Sequence, residues 1–195
     1  AAARAEVRTE SVSYRDGQTQ LKGYIAWDDR YEGKRPGVLV IHGPWGLDSY
    51  VQYRTRALAR MGYVALAADL YGAGRSTEDR DEAVKLARAF QNDRRLSRSR
   101  ATAALEQLHR YRQVDDDKIA VIGYSLGGMV ALELARSGAD IDAVTAFHAP
   151  LYTPDQTGAE NIKAEILICH PGRFEANSLL NVMARSEERR VGKEC

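Results

Sequence analysis

One serine stands in a pattern that suits nucleophilic chemistry. Residues Gly123-Tyr-Ser-Leu-Gly127 fit G-x-S-x-G, in which a strand turns sharply into a helix and presents the serine hydroxyl at the apex. The pattern predicts that Ser125 attacks a carbonyl carbon. It also predicts that the N–H group of Leu126, at the positive end of the helix, binds the oxyanion that forms. The same glycines also suit a turn selected only for tight packing.

The segments on both sides of Ser125 have the periodicity that this turn needs. Residues 118–123 form an apolar run typical of a buried strand, and residues 125–137 have helical spacing of apolar residues. The other predicted strands are a hairpin of residues 6–14 and 18–27, then residues 37–41, 63–68, 141–147 and 164–169. The other predicted helices are residues 50–61, 78–90 and 95–112.

Strands that alternate with helices predict the α/β class. We expect a mostly parallel sheet with an N-terminal β-hairpin and helices on both faces, because right-handed crossovers place helices over the sheet. Residues 1–184 are expected to form a single domain. Ligands in such sheets bind beyond the carboxyl ends of the strands, which draws attention to the residues there: His42 to Trp45, Asp69 to Tyr71, Ser125, His148 and His170.

Composition excludes several function classes. The 195 residues are 44% hydrophobic and 28% charged, which is the balance of a chain that buries a core. A net charge of +1 argues against nucleic acid as a partner. No apolar run approaches the roughly 18 residues that cross a bilayer, so no membrane partner is expected. Two cysteines, Cys169 and Cys195, make no disulfide framework, which favours a cytoplasmic location.

Four spaced blocks of the sequence resemble the dienelactone hydrolase family of α/β-hydrolases. They are VIHGPWGL at 40–47, GYVALAADLYG at 62–72, IGYSLGG at 122–128 and FHAPL at 147–151. The resemblance runs from about Val38 to His170. It implies an α/β-hydrolase-like sheet and a hydrolase of small esters or lactones that uses a nucleophile, a histidine and an aspartate, without a cofactor or metal ion.

Two positions near the nucleophile differ from the family pattern. The family usually has cysteine where this chain has Ser125, and often glutamate where it has Gly43. We interpret these differences as linked, because a carboxylate tunes the ionisation of a thiol, whereas a serine hydroxyl depends on an adjacent base. The pair therefore predicts a serine esterase.

The loop after the third strand differs as well. Pro44 stands where the resemblance implies a backbone N–H for the oxyanion, and proline has none. The second donor is therefore expected from Trp45, with Gly43 as the alternative. The Trp45 side chain itself suits either a pocket wall or core filling. The resemblance also implies that Tyr71 and Arg75 contact substrate, although a surface position is the default for an arginine such as Arg75.

The acid and the base of the expected triad are harder to find. In folds of this kind both follow the nucleophile. Glu175 is the candidate acid, since HPGRFE at 170–175 resembles the family's His-Gly-x-x-Asp if one residue is inserted. No histidine follows it. His42, His109 and His170 suit structural or solvated positions, and His148 is a minor candidate for a substitute base.

The absence of a histidine after Glu175 leads to an expectation about the carboxyl-terminal end of the chain. The catalytic histidine and the elements that would carry it are expected to be missing from this chain. Residues 185–195 form a charged tail that is expected not to be native, so the domain is expected to be incomplete at this end. The oligomeric state is not predicted.

A non-catalytic binding protein of the same fold is the alternative function, because the missing acid and base fit it too. A dinucleotide-binding protein fits less well, because Gly72-Ala-Gly74 has threonine, Thr77, where the third glycine would stand.

Overall fold

A computed structural model describes residues 6–154 and 157–170. Its strands are β1 (Val7–Asp16), β2 (Thr19–Asp28), β3 (Arg35–Ile41), β4 (Val64–Ala68), β5 (Val114–Tyr124), β6 (Ala143–Phe147) and β7 (Glu165–Cys169). Its helices are α1 (Ser49–Arg60), α2 (Arg80–Asn92), α3 (Arg94–His109) and α4 (Leu126–Arg136), with a short 3-10 helix at Thr157–Asn161. No helix in this part of the chain is long and apolar enough to cross a bilayer.

The seven strands form one sheet in the order β1-β2-β4-β3-β5-β6-β7. The β1–β2 and β2–β4 pairs are antiparallel, and the remaining pairs are parallel. This arrangement confirms the predicted mostly parallel sheet with an N-terminal hairpin.

The central strands are buried because both of their faces are covered. Every residue of β4 is buried, as the continuous run of alanine, valine and leucine in this strand predicts. Val38 and Val40 pack with Val51 of α1 on one face. Leu39 and Ile41 point the other way, into a cluster with residues of α2, α3 and α4. The prediction of helices on both faces is confirmed.

The chain leaves β3 and β5 toward opposite faces of the sheet. These two strands are parallel neighbours, and Ile41 pairs with Gly123. After β3 the chain enters α1 on one face, and after β5 it enters α4 on the other. A crevice forms where neighbouring strands diverge in this way, and it is the usual place for a ligand in an open α/β sheet. Ser125 and the loop of residues 43–46 lie at this point.

Candidate active site

Ser125 occupies a sharp and strained turn between β5 and α4. Its φ is 52° and its ψ is −112°, a backbone conformation that residues other than glycine rarely adopt. Its backbone N–H donates to the carbonyl of Phe147 on the neighbouring strand at 2.8 Å. The turn therefore has the geometry that the G-x-S-x-G pattern predicts.

The two glycines of the pattern have no room for a side chain. A Cβ atom on Gly123 would lie 2.2 Å from the carbonyl oxygen of Gly127, and one on Gly127 would lie 2.2 Å from that of Ile41. Both contacts are with backbone, which cannot move aside as a flexible side chain can. The turn consequently sits directly against the end of β3.

The hydroxyl of Ser125 is not used to hold the turn together. The residue is half-buried, and its side chain does not cap α4. Its carbonyl instead accepts hydrogen bonds from Gly128 N at 3.0 Å and Met129 N at 3.2 Å. Because α4 begins at Leu126, the N–H of Leu126 has no acceptor within the helix. The Ser125 hydroxyl and an available amide donor are thus adjacent in the chain.

The loop of residues 43–46 faces this turn from the end of β3. It is a tight turn in which Gly46 N donates to Gly43 O at 3.3 Å. Trp45 is 42% exposed, so its side chain does not fill the core. Because Pro44 has no N–H and the N–H of Gly46 is already bonded, the Trp45 amide is the available donor of residues 44–46, and Gly43 stays the alternative.

The loop after β4 holds the turn of residues 43–46 in place. Thr77 N donates to the carbonyl of Trp45 at 3.0 Å, and Leu47 N donates to the carbonyl of Arg75 at 3.2 Å. The hydroxyl of Tyr71 donates to the carbonyl of Pro44 at 2.9 Å. Three hydrogen bonds therefore connect the two loops.

His42 is a buried structural residue. Leu70 N donates to its Nε2 at 3.2 Å, so the proton of the neutral ring is on Nδ1, which lies 2.7 Å from Gly43 O. Burial lowers the pKa of His42 and keeps the ring neutral. This buried and hydrogen-bonded position agrees with the structural role expected for His42 from the sequence.

Asp69 organises the loop after β4, a role of its side chain that was not predicted from the sequence. This buried carboxylate accepts hydrogen bonds from four backbone N–H groups, at distances of 2.7 to 3.0 Å; they belong to Lys22, Tyr71, Gly72 and Gly74. Aspartate before glycines in a turn often binds nearby backbone N–H groups, and this was the available signal in the sequence.

The two residues expected to contact substrate have partners within the protein. Tyr71 donates to Pro44, as described above. The guanidinium of Arg75 pairs with Glu82, which also accepts a hydrogen bond from the Thr77 hydroxyl. The Arg75 side chain is 50% exposed, so it lies at the surface with a carboxylate as its neighbour.

The other predicted site residues lie at different places. His148 is exposed and has a φ of 54°. It follows Phe147, the register partner of Tyr124, so it lies beside Ser125 at the carboxyl ends of β5 and β6. His109 contacts Asp116 on the surface at 2.8 Å. His170 directly follows β7. The candidate acid Glu175 lies outside the described residues.

Residues 21–176 match the sequence profile of the dienelactone hydrolase family. The chain belongs to the dienelactone hydrolase family. A relative in Aquifex pyrophilus, named Protein usf, is 32% identical over 163 residues, which are 80% of this chain and 68% of the relative. The carboxymethylenebutenolidase of a Pseudomonas species is 34% identical over 112 residues, which are 54% of this chain and 47% of that protein.

A solved structure shows the same fold. The crystal structure of a dienelactone hydrolase-like promiscuous phosphotriesterase from metagenomic libraries is 34% identical, with a TM-score of 0.90, and the match covers 95% of this chain and 78% of that one. The predicted family and the α/β-hydrolase-like fold are therefore confirmed. The chain is a dienelactone hydrolase-like protein from a family of hydrolases, and the roles assigned to its individual residues stay predictions.

Proposed function

We propose that this dienelactone hydrolase family member hydrolyses a small carboxylic ester or lactone with Ser125 as its nucleophile. The oxygen of Ser125 bonds to the carbonyl carbon while a general base accepts its proton. The carbonyl oxygen becomes negative and is held by the N–H groups of Leu126 and Trp45. The C–O bond of the ester then breaks and the alcohol leaves with a proton, after which water releases the acid from the acyl-serine.

The strained backbone of Ser125 is the observation that carries this proposal. A turn selected only for packing would be served better by glycine, which reaches a φ of 52° without steric cost. Serine at this position costs about 1–3 kcal/mol, yet its hydroxyl does not stabilise the turn. Backbone strain of this kind clusters at active sites and ligand-binding sites.

The surroundings favour a serine mechanism in particular. A side chain at Gly43 would have room, because its Cβ would lie 3.4 Å from the nearest atom, the carbonyl oxygen of Tyr124. Glycine at this position places no carboxylate beside Ser125. A neutral hydroxyl activated by a base at the moment of attack suits such an environment.

Labelling with a fluorophosphonate tests the proposal. In the wild-type protein, we expect Ser125 to displace fluoride and form a phosphonylated adduct that mass spectrometry locates on its peptide. Ser125→Ala abolishes the label, and Ser49→Ala, an exposed serine at the start of α1, keeps it. Short-chain p-nitrophenyl esters and a five-membered lactone then test the substrate class.

The binding-protein alternative makes the opposite prediction. A cooperatively folded wild-type protein that takes up no label and hydrolyses none of these substrates would favour a binding role and contradict the proposal.

A further inference from the structure

The peptide group between Pro44 and Trp45 connects the N–H of Trp45, the candidate oxyanion donor, to the side chain of Tyr71, which is distant in sequence. The described residues contain no cis peptide bond. In a planar trans peptide the carbonyl of one residue and the N–H of the next point in opposite directions. The direction of the Pro44 carbonyl therefore fixes the direction of the Trp45 N–H.

The hydroxyl of Tyr71 binds that carbonyl. It donates to Pro44 O at 2.9 Å, and the chain separates the two residues by 27 positions. Its single proton is used in this bond. Tyr71 therefore has no second proton to donate to a substrate, which argues against the direct contact expected from the sequence.

The ring of Tyr71 is itself held rigidly. It meets the buried ring of His42 edge-on, with centroids 4.8 Å apart, and the ring of Phe90 at 5.6 Å. Its backbone N–H donates to the Asp69 carboxylate at 3.0 Å. Burial also raises the pKa of the Tyr71 hydroxyl above its ordinary value, so the group stays protonated and remains a donor.

We propose that Tyr71 is a positioning residue for the oxyanion: through Pro44 O it aims and polarises the N–H of Trp45. A hydrogen bond accepted by a carbonyl polarises its peptide group and makes the N–H on the other side a stronger donor. The effect is greatest when a full negative charge forms, so it stabilises the transition state more than the bound substrate. This inference rests on the proposed function.

Tyr71→Phe tests the inference, because it removes the hydroxyl and keeps the ring. Loss of a complete oxyanion donor lowers kcat by about 10² to 10³. Since Trp45 keeps its N–H in this variant, we expect a smaller fall in kcat, of about tenfold. We also expect an unchanged KM and an equal loss of affinity for a trifluoromethyl ketone, whose serine adduct carries an oxyanion. The matched control is Tyr53→Phe, at a 53% exposed tyrosine on α1, with wild-type values expected.

Each other outcome overturns the inference. A raised KM with an unchanged kcat would show that Tyr71 contacts substrate directly. Unchanged kinetics would show that the hydrogen bond to Pro44 has no role in the reaction. A large fall in melting temperature together with losses in both parameters would show a structural role. Labelling of the wild type separates the two proposals: absence of label on Ser125 refutes the proposed function, whereas equal labelling rates in wild type and Tyr71→Phe refute only the positioning role.

Discussion

Replacing Ser125 by glycine is expected to stabilise the folded protein relative to replacement by alanine. Both substitutions remove the hydroxyl and therefore the proposed activity. Alanine keeps a Cβ atom on a backbone with a φ of 52°, whereas glycine adopts this conformation freely. The pair isolates the strain of the turn from the chemistry of the side chain.

The size of the effect follows from two opposing contributions. Strain at a non-glycine residue in such a region costs about 1–3 kcal/mol, and the unfolded-state entropy of glycine costs about 0.5–1 kcal/mol relative to alanine. The central values of these two ranges favour Ser125→Gly by roughly 1 kcal/mol. In a protein of this size each kcal/mol corresponds to about 2–4 °C in Tm, so we expect a difference of about 2–4 °C.

Chemical denaturation of the two variants measures this difference directly, with Ser137 as the control position. Ser137 directly follows α4 with a φ of −74°, where alanine is unstrained. Glycine should therefore be less stable than alanine at position 137 and more stable at position 125. If glycine is the less stable variant at both positions, the claim that the Ser125 turn is strained is refuted.

Three further predictions concern the surroundings of the site. Gly127→Ala should destabilise by about 3 kcal/mol or more, because its Cβ would press on the Ile41 carbonyl. Gly33→Ala, with a positive φ but open space, should cost only about 1–2 kcal/mol, and equal losses in denaturation would contradict this. Asp69→Asn should cost about 2–4 kcal/mol, since its amide leaves two of four N–H groups without an acceptor; an unchanged denaturation midpoint would argue against that role. Because burial lowers the pKa of His42, the unfolded chain binds a proton that the folded protein does not. Stability should be full above pH about 6.5 and decline as the pH falls below it, with a smaller decline in His42→Gln, so parallel Tm profiles from pH 8 to 5 would refute the assignment.

Periodicity and turn residues were enough to predict the architecture. The apolar runs of β3 and β4 identify strands buried on both faces, and the glycines around Ser125 identify the turn into α4. The start of β5 was predicted too late, at residue 118 rather than Val114. Asp115, Asp116 and Asp117 look like a loop in sequence, yet the chain there is extended, and the β3–β5 register shifts between Pro36 and Gly37.

The contacts that support the site could not be predicted in the same way. The hydrogen bond between Tyr71 and Pro44 joins two loops. It forms because β3 and β4 are parallel neighbours in the sheet, so the loops that follow them meet at the carboxyl ends of these strands. Local sequence patterns report periodicity and turn type, but the meeting of two loops depends on strand order and on the exact path of each backbone. The ion pair of Arg75 with Glu82 depends in the same way on how α2 begins.

The structure of the phosphonylated protein tests the central claim most directly. We expect phosphorus bonded to the oxygen of Ser125, with the phosphoryl oxygen about 2.7–3.1 Å from the backbone nitrogens of both Leu126 and Trp45. Phosphorus on another residue, or a phosphoryl oxygen that points away from both amides, would contradict it.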